Sequence, residues 1–184
     1  MRAAHLARRR ALAAPSREEA ARLVLAELTS LVRRAAPDCV AGYVPVGAEP
    51  GGPGLPDALA AGGRLLLPVL LPDLDLDWAE YAGHASLTPS PRGLREPSGR
   101  RLGPTAIATA SLVVVPAVAV DRHGVRLGRG GGSYDRALAR VTPGVPTVAL
   151  LHDGELVDEL PTEPHDRRVS AVITPGDGLV MLPA

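Results

Sequence analysis

The sequence predicts an α/β fold, organised as a single-domain three-layer sandwich with a mainly parallel central sheet flanked by helices. Three observations predict it. Aliphatic, strand-like runs are separated by helical segments, the order that implies parallel pairing with both sheet faces covered. The chain has 184 residues, 46% of them apolar, enough for one domain with a real core. No internal repeat and no long linker divides it, so one domain is expected over residues 1–184.

The elements follow in order. Residues 2–13 alternate Arg with Ala and Leu and suit a short helix, interrupted at Pro15 and Ser16. Ser16 is a suitable N-cap for a second helix over Arg17–Arg34, with Glu18 and Glu19 in its first turn. Leu23, Leu28 and Leu31, with Ala20 and Val24, recur there at helical spacing. Residues 39–44 read as a strand running into a Pro- and Gly-containing loop. Leu55–Ala61 is a short helix and Arg64–Leu71 a buried strand bounded by prolines. Residues 72–105, rich in Pro, Gly and charge, predict an irregular excursion with a hairpin around Trp78–His84. Ser111–Val115 is a β-branched strand, and a glycine-rich run leads into a helix over Ser133–Val141. Val145–Leu151 and Val169–Thr174 supply two more strands.

Composition narrows the function classes. Aromatics are 2% of the chain and Phe is absent, so the core is aliphatic and a base-stacking nucleic-acid platform is disfavoured. Twenty basic and twenty acidic residues give a net charge of zero, with no general pull toward nucleic acid or an anionic membrane. Every basic residue is Arg, so any cation that meets a phosphate is a guanidinium. The single cysteine, Cys39, has no partner for an internal disulfide and reads as a small buried hydrophobe in a reducing compartment. No apolar run approaches the roughly 18 residues of a membrane span. A cytoplasmic monomer is expected.

The informative stretch is Val113–Arg136. A buried strand leads through a turn into Arg126-Leu127-Gly128-Arg129-Gly130-Gly131-Gly132-Ser133-Tyr134-Asp135, at the start of a helix. This order places backbone N–H groups and a helix start at the carboxyl end of the sheet, a place suited to an anion. Glycine admits positive φ and close ligand approach. Arg126 and Arg129 add positive charge, and Asp135 is placed to hold a divalent metal against phosphate oxygens. The loop matches neither the Walker pattern, which needs Lys, nor the dinucleotide pattern, which follows an early strand. A bound nucleoside triphosphate is the expectation.

This run resembles that of the 5-formyltetrahydrofolate cyclo-ligase (5,10-methenyltetrahydrofolate synthetase) family. Three other segments share the resemblance: Tyr43–Pro50 with its glutamate, Leu94-Arg95-Glu96-Pro97, and Leu160–Asp166 followed by a strand ending Ile173-Thr174. The resemblance implies MgATP-dependent conversion of 5-formyltetrahydrofolate, a reduced folate, to 5,10-methenyltetrahydrofolate, ADP and phosphate. It implies ATP contacts along Arg126–Tyr134, with Arg129 and Tyr134 catalytic and Arg129 on the transferred group. It implies folate contacts from Val44, Glu49, Arg129, Gly130, Gly131, Gly132 and Ser133, and Mg²⁺ at Asp135 and Asp166. An acceptor-only carboxylate at Glu49 suits the donor-rich pterin edge. Asp121 is expected to brace its turn, Tyr43 to sit in the core and His165 to be a structural hydrogen-bonder.

The chain departs from the pattern in places. Gly131 stands where some relatives carry Lys, and Ser133 replaces the first of two tyrosines. The family's opening helix brings two cations near ATP, whereas Arg2 is the only cation here before Arg8. The aromatic residues left for a folate site are Tyr81, Trp78 and Tyr134. Two other readings fit the same residues: a catalytically inactive relative that binds nucleotide or folate, and an ATP-dependent ligase or kinase acting on another small acid.

Overall fold

The computed structural model describes residues 1–90, 92–162 and 166–183. Helix α1 spans Arg2–Ala11 and α2 spans Ala14–Ala35. The second helix starts earlier than expected, and Ser16 lies inside it. Pro15 is the reason: in a first helical turn its missing N–H has no intrahelical partner to lose, so it opens the helix instead of breaking it. Val24, Leu28 and Val32, each four residues apart, form the fully buried line of α2.

Strands β1 (Cys39–Ala41) and β2 (Arg64–Leu70) are joined through α3 (Leu55–Ala60). Strand β3 (Leu76–Glu80) returns antiparallel to β2, with Trp78 opposite Pro68. The hairpin expected around Trp78–His84 is therefore an edge strand of the main sheet. A tight connection makes this possible: Leu71 donates to the Asp75 carbonyl, and Leu74 takes φ +67. The excursion does contain a hairpin, further on, between β4 (Leu87–Pro89) and β5 (Arg95–Pro97).

Strand β6 (Leu112–Pro116) re-enters the main sheet. It is followed by β7 (Ala119–Asp121), β8 (Arg126–Leu127) and α4 (Ser133–Leu138). Then come β9 (Thr147–Leu150), β10 (Leu156–Val157), β11 (Ala171–Thr174) and β12 (Gly178–Met181). The main sheet runs β12-β11-β9-β6-β1-β2-β3. Its five inner strands are parallel and its two edge strands antiparallel. Strand β12, not foreseen, follows a turn at Pro175-Gly176-Asp177, where the Thr174 hydroxyl accepts from the Asp177 N–H.

Alternation along the strands divides the core in two, as a period of two residues requires. Val40, Leu65, Leu67, Leu112, Val114, Val148, Leu150 and Ile173 face α2 and α3. Ala41, Leu66, Val113, Val115, Ala149 and Val172 face α4 and the 3₁₀ segment Pro104–Thr109. The expected three layers result. A small sheet, β10-β7-β8, sits beyond the carboxyl end of β6. Its turn is held by Asp121, fully buried: one carboxylate oxygen accepts from the His123 and Val125 N–H groups, the other from Leu160. Among the described residues, no helix is long and apolar enough to cross a membrane.

Candidate active site

The sheet order sets the place of the site. From β1 the chain proceeds to β2 on one side, while β6 lies on the other. The connections leaving the carboxyl ends of β1 and β6 therefore diverge and leave a crevice at that switch point. A cleft of about 880 Å³ opens there. Tyr43, Val44 and Glu49 line it after β1, and Pro116 and Ala117 after β6. The whole run Arg126–Asp135 forms one wall, and Asp166 reaches the same space. Val44, Glu49, the glycine loop, Asp135 and Asp166 thus meet in one cavity, although the chain brings them from three separate segments.

The loop has the backbone that its glycines allow. Gly130 at φ +100 and Gly132 at φ +65 occupy the left-handed region, and the turn into α4 depends on them. Arg129 projects from this turn, 56% exposed, and pairs at 3.0 Å with Glu49 Oε1, whose side chain is 8% exposed. Glu49 Oε2 accepts from the Val46 N–H at 2.9 Å. Burial pushes the Glu49 carboxyl above its ordinary value of 4.5, against the pull of the Val46 N–H and of Arg129.

Arg126 and Arg129 have different surroundings. The Arg126 side chain is buried; it donates to Asp135 Oδ1 at 2.8 Å and to the Pro116 carbonyl, and its guanidinium lies 5.8 Å from the Tyr134 ring centre. Its Nε has no hydrogen-bond partner among the described residues. Asp135 is thus already ion-paired through one oxygen. Tyr134 packs against both core layers, and burial together with the nearby Glu49 drives its hydroxyl pKa far above 10.0.

Two sequence expectations are revised. Trp78 belongs to the α4-side core, fully buried, and does not line the cleft. Tyr81 sits in the other core, donating to Asp57 Oδ1 at 2.6 Å. The aromatic rings at the cleft are Tyr134 and Tyr43, and Tyr43 is a core residue as well, its hydroxyl donating to the Pro50 carbonyl. Glu96 lines the cleft and braces β2 by accepting from the Leu70 N–H. Glu163 and His165 lie outside the described residues.

From the opening helix, Arg2 donates through Nε to the Gly128 carbonyl at 2.7 Å and lines the cleft. One residue escaped the sequence reading. Arg9 is buried behind the cleft floor and paired with Glu155. A signal for it exists, because Arg2, His5 and Arg9 fall at spacings of three and four on one face of α1, where a polar stripe covers the body.

An open α/β sheet with a ligand cleft at its switch point, walled by an arginine-bearing glycine loop facing a buried carboxylate, defines an enzyme of the small-molecule-binding α/β class. Comparison with known proteins narrows the class: the profile of the 5-formyltetrahydrofolate cyclo-ligase family matches residues 1–175, and the chain belongs to that family. A 5-formyltetrahydrofolate cyclo-ligase of Mycolicibacterium smegmatis is 45% identical over 149 residues, 78% of this chain and 76% of that one. The protein of the same name from Escherichia coli K12 is 34% identical over 62% of this chain and 65% of its own. The NMR structure of Aquifex aeolicus 5,10-methenyltetrahydrofolate synthetase superposes with a TM-score of 0.83, at 27% identity, over 100% of this chain and 91% of that one.

Proposed function

We propose that this chain converts 5-formyltetrahydrofolate to 5,10-methenyltetrahydrofolate with ATP as co-substrate, releasing ADP and phosphate. The observation that carries the reading is the Arg129–Glu49 pair in the cleft. It puts a cation for a phosphoryl group beside an acceptor for a donor-rich heterocycle, both lining one cavity. Membership of the family and the cyclo-ligase relatives support it.

The chemistry needs little more than positioning and charge neutralisation. An amide oxygen is a poor leaving group until phosphorylated. The formyl oxygen forms a bond to the γ-phosphorus as the bond to ADP breaks. N10 then attacks the activated carbon, the carbon–oxygen bond breaks, and phosphate departs as N10 loses its proton. In this reading the N–H groups of Gly128–Ser133 and the guanidinium of Arg129 neutralise the transferring group, and Arg2 adds a second cation at the loop. Tyr134 lines the reacting space as a neutral hydroxyl. Glu49 accepts from pterin N–H groups, and Val44 packs against the ring.

Mg²⁺ is part of the proposal. The donor set fits it: this ion is commonly held by one or two carboxylates plus substrate phosphates, and Asp166 and Asp135 both line the cleft. When bound, the ion would neutralise phosphate charge. We also propose a cytoplasmic monomer, in keeping with the single cysteine, a buried free thiol. The test is the absorbance of methenyltetrahydrofolate after mixing enzyme, 5-formyltetrahydrofolate, ATP and Mg²⁺. ATP-dependent product is expected; its absence at high enzyme concentration would refute the reading.

A further inference from the structure

A buried ion pair lies behind the cleft, not in it. The Arg9 and Glu155 side chains are 3% and 4% exposed. They meet in two parallel bonds, Nε to Oε1 at 2.7 Å and Nη2 to Oε2 at 2.6 Å. The remaining bonds of this pair lead to the cleft. Arg9 Nη2 also donates to the carbonyl of Ala117, a residue of the cleft floor, at 2.6 Å. Glu155 Oε2 also accepts from the His152 N–H at 2.8 Å. The His152 ring, 7% exposed, donates through Nε2 to the Ala48 carbonyl at 2.9 Å. The next residue is Glu49.

The pair therefore has two outputs. On one side it seats α1, which carries Arg2 to the Gly128 carbonyl two helical turns before Arg9. On the other, through His152, it holds the loop that presents Glu49. Stability alone does not call for such a pair, since apolar residues of similar volume commonly replace a buried ion pair with no loss. What apolar residues cannot do is fix three separate backbone segments in one geometry through directed bonds.

We propose that Arg9, Glu155 and His152 form a positioning unit that sets both halves of the site, with Arg9 placing Arg2 at the glycine loop and His152 placing Glu49 against Arg129 of that loop. None of the three lines the cleft. The proposal rests on the functional reading above, which assigns Arg2 to the nucleotide and Glu49 to the folate.

The test separates the outputs. His152→Leu cuts only the tie to Ala48. It should raise KM for 5-formyltetrahydrofolate by roughly 10-fold, the scale of a small misplacement of a contact group, while KM for ATP stays within about twofold. His152→Gln, which can still donate to Ala48, should restore it. The double variant Arg9→Met/Glu155→Leu removes both charges together and leaves no orphaned charge. It should keep a near-native Tm, weaken binding of a non-hydrolysable ATP analogue by roughly 10-fold, and speed amide exchange in residues 2–12. Wild-type KM values in His152→Leu, or failure of His152→Gln to rescue, would overturn the proposal. So would a double variant with undiminished analogue affinity. If that variant does not fold, the His152 pair still decides. Turnover by the wild type is measured alongside, so failure of the functional reading is seen separately. Exchange rates in residues 2–12 and 46–50 of the unliganded variants test the positioning in either case.

Discussion

Replacing Arg129 by Ala separates catalysis from stability more cleanly than any other substitution in this site. Arg129 is 56% exposed, so its pair with Glu49 is largely solvated on one side. Pairs of that kind are worth roughly 0–1 kcal/mol, and substitutions at such places usually move stability by about 0.5 kcal/mol. In a chain of this length that is a shift of about 1–2 °C in Tm. Glu49 is buried, and burial already raises its pKa; without Arg129 one of the groups that lowers it is gone, and the pKa rises further. The pH dependence follows. Native Glu49 holds its proton more tightly than the unfolded chain does, so folding stability falls as pH rises from 4.5 through the native pKa. In the variant that window reaches to higher pH.

Turnover behaves differently. Removing one preorganised donor from a developing charge costs about 10²–10³ in kcat. Arg129→Ala should therefore lose about 10²–10³ of the rate of methenyl product formation per folded molecule, with a melting curve almost superposable on the wild type. Arg129→Lys should recover part of the rate, since it restores the charge without the planar fork. A fall in Tm well beyond about 2 °C with unchanged activity per folded enzyme would refute the reasoning, because Arg129 would then be a structural residue.

Two further outcomes follow from buried groups away from the reacting atoms. Asp121→Asn replaces an acceptor of three backbone N–H groups by an amide that must turn a donor toward one of them, and should cost about 1–3 kcal/mol by urea unfolding. Unfolding indistinguishable from wild type would show that the turn holds without it. All three tyrosines have raised pKa values: Tyr81 to about 12, by burial and by its bond to Asp57, and Tyr43 and Tyr134 well above 10.0. Native tyrosine keeps its proton where unfolded tyrosine has lost it, so stability falls as pH rises above 10.0 toward 12. Tyrosinate absorbance should therefore stay low at pH 10 and climb only with alkaline unfolding; a tyrosine titrating near 10 in folded protein would contradict this.

The parts of the fold that could be read from the sequence are those set by local physics. Leu112–Pro116 and Arg64–Leu70 read as strands because each is a short aliphatic run closed by proline, too short for a helix. The glycine loop was legible because Gly130 and Gly132 sit where only positive φ makes the turn. Pro15 misled, since the same residue breaks a helix in its interior and opens one in its first turn. Trp78 misled as well: its segment is polar and short, and only pairing with β2 makes it a strand. Glu49 stood out because a motif surrounds it. Arg9 and Glu155 did not, because 146 positions separate two residues that are unremarkable until the fold brings them together.

The same long-range view bears on the cation that the loop lacks. Gly131 stands where some relatives have Lys, and nothing in the sequence showed what compensates. In the structure the Arg2 guanidinium crosses from α1 to the Gly128 carbonyl, and a side chain on Gly130 would lie 3.4 Å from it. A cation therefore reaches the loop from outside. If Arg2 does the work of the missing Lys, Arg2→Ala should weaken ATP binding, and Gly131→Lys in that background should restore it. The loop can accept the lysine: unlike Gly130 and Gly132, Gly131 is not in the left-handed region, and a Cβ there would meet nothing nearer than the Ser133 hydroxyl at 3.5 Å. The measurement is the Kd of an ATP analogue across the four proteins of the cycle. A loss of roughly 10-fold in Arg2→Ala, largely recovered in the double variant, is expected from the interaction energy of groups sharing one partner. Additive effects, with Gly131→Lys tightening binding equally with and without Arg2, would show that the two positions serve different phosphates.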